Sequence, residues 1–187
     1  MPFDARGAAA MADAVGAVKA LWRFPVKSMR GERLEAADLT RAGLVGDRAY
    51  ALVDSETGKV MSGKNPRLGS NLLGCQAAFV EAPEPGEEKP PVRITLPDGT
   101  LVRSDSPGVD ASLSGFFGRP VTLQRAAPDD FTIDQYHPDI EDLDPEGHRD
   151  TVTELKLGSA FFAEAGLPSA VPVGAFFDLF PVSVLTT

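Results

Sequence analysis

The sequence predicts a mainly β chain: a β-barrel-like N-terminal domain with one or two short helices, followed by the opening of an incomplete second β-rich domain. Three observations carry this. Gly and Pro number 18 and 16 of 187 residues, and they fall between short β-type runs instead of interrupting long helical ones. The first such run alternates apolar and polar side chains with the period of two that a half-buried strand requires. Two glycine-bearing loops each join a pair of apolar runs at hairpin spacing.

Taken in chain order, residues 1–14 hold Asp4 and Asp13 and no sustained apolar stretch, so they are expected to be a disordered lead that does not read as a signal peptide. In GAVKALWRFPV, residues 16–26, Val18, Ala20, Trp22 and Phe24 alternate with Lys19, Leu21 and Arg23, which predicts a strand. Pro25 ends it, because proline has no amide hydrogen to give to a ladder. Residues 49–53 are expected to pair with 59–61 across the loop 54–58, where Gly58 takes positive φ, and residues 92–96 with 100–103 across Pro97, Asp98 and Gly99. A short helix follows, with Ser106 as N-cap, Pro107 at the first helical position, an apolar face of Val109, Leu113, Phe116 and Phe117, and Gly118 as its stop. Residues 121–123 return as a strand.

The remaining segments are poor core material. Residues 81–91 (EAPEPGEEKPP) read as a Pro/Glu-rich surface loop, and residues 128–150 carry nine Asp/Glu against one Arg. The domain reading is therefore a disordered lead over 1–14, a β-barrel-like domain over 15–125, an acidic linker over 126–173 and the truncated start of a further domain over 174–187. There Val182, Val184 and Leu185 open a strand with no partner downstream, and in isolation this segment is expected to be disordered or mispaired.

Composition narrows the function classes. A hydrophobic fraction of 43% with mean hydropathy of −0.08 describes a soluble globular chain, and no window approaches the run of about 18 apolar residues that a membrane span needs. The single cysteine, Cys75, excludes an internal disulfide and any multi-cysteine metal site, and a reducing cytoplasm is the simplest home. A pI near 4.7 argues against nucleic acid as a partner, since phosphate-backbone affinity depends on accumulated Lys and Arg. The charge is unevenly spread: residues 19–67 hold ten Lys/Arg and six Asp/Glu, whereas residues 68–187 hold seven and nineteen. A local basic cluster in an acidic chain points to a small, focused anion as ligand.

Within that cluster, Lys27 and Ser28 directly follow the strand-ending Pro-Val, where backbone amides are free, and Arg48 opens the next apolar run with a planar guanidinium suited to bidentate anion contact. Asp47 beside it either orients the guanidinium or is a turn residue. As spacing alone the pattern is weak, because cations near strand ends are commonly solvated.

Four segments in order strengthen it: FPVKSMRG at 24–31, GLVGDRAYALVD at 43–54, NPRL at 65–68 and LSGFFGRPVTLQ at 113–124. This series resembles the N-terminal β-barrel domain of MOSC proteins, and FFDLFPVSVLTT at 176–187 is similar to the opening of the MOSC domain proper. The resemblance covers residues 15–125 and 174–187. It implies binding of molybdenum cofactor, with the Lys-Ser and Arg of the matching motifs, here Lys27, Ser28 and Arg48, helping to hold it. By the same resemblance the parent protein is a molybdenum-dependent oxidoreductase similar to the amidoxime-reducing component, reducing N-hydroxylated small molecules with electrons from a partner protein. The cysteine that ligates molybdenum in such reductases lies in the later MOSC domain, beyond the residues present here.

Other chemistries find less support. Cys75 sits in an apolar run with Leu72, Leu73, Ala77, Ala78 and Phe79 and reads as a buried structural thiol, so the alternative of a sulfur-transfer accessory in cofactor maturation rests on its being reactive. A non-catalytic cofactor or substrate carrier is the other alternative. The resemblance extends to the C-terminal domain of molybdenum-cofactor sulfurase, but the pyridoxal phosphate chemistry of full sulfurases would need Lys27 with a depressed pKa, which nothing in the sequence supplies. His137 and His148 among Asp139, Glu141, Asp142 and Asp144 lack the rhythm of a calcium loop and read as solvated linker. Ser62, Lys64 and Arg67 are basic-loop neighbours of the motif, read as exposed charge or as further phosphate contacts.

Overall fold

The computed structural model describes residues 16–40, 43–138, 150–164, 166, 174–177 and 182–184. Short strands dominate, as the spacing of Gly and Pro requires. β1 (Leu21–Arg23) pairs antiparallel with β2 (Glu32–Leu34), and β3 (Leu39–Thr40) with β4 (Gly43–Leu44). β5 (Tyr50–Asp54) leads to α1 (Pro66–Gly69), capped by the Asn65 side chain accepting from the Arg67 amide, and to a 3₁₀ turn over Ser70–Gly74. β6 (Gln76–Phe79), β7 (Val92–Thr95) and β8 (Leu101–Arg103) form a three-stranded meander. α2 (Val109–Phe117), β9 (Val121–Arg125), β10 (Phe131–His137), β11 (Thr151–Leu157) and α3 (Ser159–Glu164) complete the order. The fold is mainly β, and among the described residues its sheets stay small and do not close into a barrel.

The β7–β8 hairpin forms as expected, with Gly99 at φ +86° and the Leu96 amide donating to the Thr100 carbonyl at 2.9 Å. The 49–53 run behaves differently. Its full-length partner is β9, from Tyr50 opposite Arg125 to Asp54 opposite Val121; the expected local return after Gly58 also forms, as a short antiparallel bridge between Val53 and Val60 flanked by the Asp54 amide on the Lys59 carbonyl at 2.9 Å and the Met61 amide on the Leu52 carbonyl at 2.8 Å. The N-terminus of α2 also departs from expectation: its cap is Gly108 at φ +80°, two residues after Ser106, and Gly118 at φ +66° ends it as predicted. With Gly108 adopting the left-handed backbone at no steric cost, the turn 106–109 closes through its own backbone and Pro107 stays outside the helix.

In β1 the inward side is the opposite of the expected one. Trp22 is 47% exposed while Arg23 is buried. The Arg23 charge is balanced in place: it pairs with Glu32 at 2.8 Å, reaches the Val45 carbonyl at 3.3 Å and lies 4.9 Å over the Phe79 ring. Residue type predicts the buried face only when a charge has no such partners.

The main core gathers Val26, Leu52, Leu72, Ile94 and Leu113, fastening α2 and the meander to the β5–β9 pair. A second cluster joins Ala51 and Val60 to Phe131, Ile133, Leu157 and Phe176. Part of the segment read as an acidic linker is therefore sheet. β10 and β11 pair over seven residues, from Phe131 opposite Leu157 to His137 opposite Thr151, with Phe131, Ile133 and Leu157 buried. The acidic residues hide this strand because its inward-facing positions are few among many charges. His137 contacts the Thr153 hydroxyl at 2.9 Å; His148, Asp139, Glu141, Asp142 and Asp144 lie outside the described residues. Of the terminal strand, residues 182–184 carry no β pairing, and 178–181 and 185–187 lie outside the described residues.

Candidate functional site

Residues 24–27 and 47–50 are zipped together by backbone. The Arg48 amide donates to Phe24 at 2.7 Å, the Tyr50 amide to Pro25 at 3.0 Å and the Lys27 amide to Tyr50 at 2.8 Å, giving a parallel bridge between Val26 and Tyr50. The amide of Lys27, expected to be free for a ligand, is thus committed to this bridge. What the zipper does is bring the two motifs of the sequence together.

Two of the three candidate residues hold left-handed backbone, Ser28 at φ +62° and Arg48 at φ +51°. Such conformations cost a non-glycine residue on the order of 1–3 kcal/mol and persist where surrounding bonds over-determine them. Gly31, at the end of the first motif, is required for a different reason: a Cβ there would collide with the Arg23 carbonyl oxygen across the β1–β2 turn.

The two motifs then converge on one residue, Lys27 through its side chain and Arg48 through its backbone carbonyl. The Lys27 ammonium, buried at 3% exposure, donates to the Phe176 carbonyl at 3.2 Å, and the Phe176 amide donates to the Arg48 carbonyl at 2.8 Å. The Arg48 guanidinium, 31% exposed, lies 5.5 Å from the Phe24 ring centre and 5.3 Å from that of Phe177. Asp47 does orient it. One carboxylate oxygen pairs with the guanidinium and the other accepts from the Phe24 amide at 2.6 Å. Burial pushes the Asp47 carboxyl above its ordinary pKa, against the pull of Arg48, the Phe24 amide and Arg23. Ser28 Oγ accepts from the Gly63 amide at 3.0 Å, which ties the 62–65 loop to the motif and leaves the hydroxyl hydrogen as a donor.

Two nearby cations are spent elsewhere. Arg67 pairs with Asp150 and stacks 4.4 Å over Tyr136, and Lys59 bonds Asp134 at 2.8 Å and also pairs with Glu154. Ser62 is buried, with Oγ accepting from the Lys64 amide. A cleft of about 490 Å³, within the ligand-sized range, opens beside the site. Asp47, Ala126, Ala175 and Phe177 line it, but Lys27, Ser28 and Arg48 do not. Phe176 and Phe177 are the residues that sequence reasoning missed. Their signal is the aromatic pair two residues after Gly174, in the segment that the resemblance assigns to the opening of a further domain.

Cys75 is fully buried, its thiol donates to the Asn71 carbonyl at 3.3 Å, and burial together with the charge of Asp98 pushes its pKa up to about 11. Among the described residues no helix is long and apolar enough to cross a membrane.

Neither a curated protein nor a solved structure matches the chain. The family model described as MOSC N-terminal beta barrel domain matches residues 15–115, a span that contains Lys27, Ser28, Arg48 and the whole zipper between them. With more than half of its length matched, the chain belongs to the MOSC N-terminal beta barrel domain family.

Proposed function

We propose that this chain is the molybdenum-cofactor-binding region of a MOSC-family oxidoreductase, with Lys27, Ser28 and Arg48 as the residues that hold the cofactor's anionic part. The observation that carries the reading is that Lys27 and Arg48, brought together by the zipper within the family-matched span, meet on the single residue Phe176. The family is linked to molybdenum-cofactor binding. The donor set fits a phosphate in kind: an ammonium already bonded to an oxygen, a guanidinium partly open to solvent, and a hydroxyl with a hydrogen to give.

When bound, the cofactor supplies the redox chemistry, here the reduction of an N-hydroxylated small molecule with electrons from a partner protein in the cytoplasm. The residues of this chain do the anchoring. Lys27 and Arg48 offset the ligand's negative charge, Ser28 adds a directional hydrogen bond, and Asp47 fixes the plane of the Arg48 guanidinium. A role in sulfur transfer gains nothing from Cys75, which is buried and has its pKa pushed above that of an ordinary thiol. The test is retention of molybdenum cofactor by the wild-type chain and by the Lys27→Ala/Arg48→Ala variant. The double variant is expected to lose affinity about tenfold to a hundredfold, the worth of one or two charge-assisted hydrogen bonds.

A further inference from the structure

Residues 174–177 lie across the candidate site as a strap. The Ala127 amide donates to the Gly174 carbonyl at 3.0 Å, and the Phe176 amide and carbonyl are held by the Arg48 carbonyl and the Lys27 ammonium. Phe176 is fully buried with its ring centre 5.4 Å from that of Phe131, and Phe177 is buried against Arg48, Phe161 and Ala175. Backbone bonds fix the strap's position and two aromatic anchors keep it there. The same strap supplies Ala175 and Phe177 to the wall of the 490 Å³ cleft.

The Phe176 carbonyl oxygen sits on the ammonium assigned above to an anion. An ammonium buried to 3% exposure has little free surface, so a phosphate oxygen reaches it most directly by taking the carbonyl's place. We propose that the strap 174–177 and an anionic ligand compete for Lys27, so that ligand binding releases the strap and opens the adjoining cleft. The idea rests on the anion-site reading and adds regulation to it. Coupling of this kind lowers the apparent affinity of the strapped chain by the fraction of molecules whose strap is open. Loosening the strap while Lys27, Ser28 and Arg48 keep their own side chains therefore tightens anion binding.

Inorganic phosphate is the probe, titrated into the full chain as wild type and as Phe177→Ala, with calorimetry for binding and amide exchange at Phe176 for the strap. Phe177 belongs to a small satellite cluster away from the main core, so the substitution leaves the fold standing, and exchange at Leu52 reports that directly. Phosphate is expected to bind Phe177→Ala at least about fivefold more tightly than wild type, and to speed Phe176 exchange in wild type while Leu52 stays protected. A Lys27→Met chain is expected to show fast Phe176 exchange that phosphate no longer changes. Equal phosphate binding to both chains with unchanged Phe176 exchange overturns the strap while leaving the anion site intact. Binding to neither chain overturns both.

Discussion

Lys27 shows how little a residue's type says about its surroundings. As the cation of a short motif after Pro-Val it reads as an exposed donor, yet its ammonium is buried on a carbonyl 149 residues further along the chain. No local pattern encodes a contact of that separation. Arg48 was more legible, because a guanidinium beside an aspartate at the head of an apolar run has an obvious partner, and the Asp47 pairing is present. Cys75 was legible for the same kind of reason: a thiol inside an apolar run is buried by its neighbours. Its pKa of about 11, against an ordinary 9.0, has a direct consequence for reactivity, since only the thiolate is alkylated. At pH 8 the folded protein is expected to react with iodoacetamide about a hundredfold more slowly than the unfolded chain from ionisation alone, and more slowly still from burial. Equal rates with and without denaturant would show an accessible thiol and revive the sulfur-transfer alternative.

At the scale of elements, the local hairpin over β7 and β8 was readable and the pairing of β5 with β9 was not. Turn chemistry announces a partner four residues away, but nothing in the 49–53 run names a strand some seventy residues later. The β10–β11 pair was hidden by charge. Its inner face consists of Phe131, Ile133 and Leu157 in a stretch that composition reads as solvated. The two readings differ in a measurable way. Ile133→Ala is expected to destabilise the protein by about 2–5 kcal/mol, as removal of a fully buried side chain does, whereas a linker residue would cost less than about 0.5 kcal/mol; urea unfolding separates them.

The turn after β5 gives a second prediction at this scale, this time in pH. Burial of Asp54 tends to raise its pKa, but the amides of Thr57 and Glu56 and the charge of Arg119 outweigh it and hold the carboxyl below its ordinary 3.8. A carboxyl depressed in the folded state contributes stability that is present above the unfolded pKa and is lost as pH falls through the folded one. Urea midpoints are therefore expected to drop as pH is lowered below about 4, with a smaller drop in Asp54→Asn, which lacks the titrating group. An identical decline in both proteins would place the acid sensitivity elsewhere.

Over the whole molecule, the uneven charge of the sequence has a structural meaning that differs from a bare basic surface. Lys59 and Arg67 of the basic region meet Asp134, Glu154 and Asp150 of the acidic one, so the two regions complement each other and hold the β10–β11 pair against the 62–65 loop. Lys27 and Arg48 meet instead at residues 174–177, through the Phe176 carbonyl and amide. The ordered motifs made the family legible, because each marks a place where backbone geometry is constrained, as at Ser28, Gly31 and Arg48. Closure by a segment from the far end of the chain was not legible, since it depends on tertiary contacts that only the folded chain brings together. Under the proposed function these residues hold an anionic cofactor. The most direct test of this is the affinity of the chain for molybdenum cofactor released from a donor protein, followed by the fluorescence of the oxidised pterin, for wild type, Lys27→Ala, Ser28→Ala and Arg48→Ala. Weakened retention in Lys27→Ala and Arg48→Ala, with a smaller loss in Ser28→Ala and all four chains equally folded, is the expected result; equal retention by all four would contradict it.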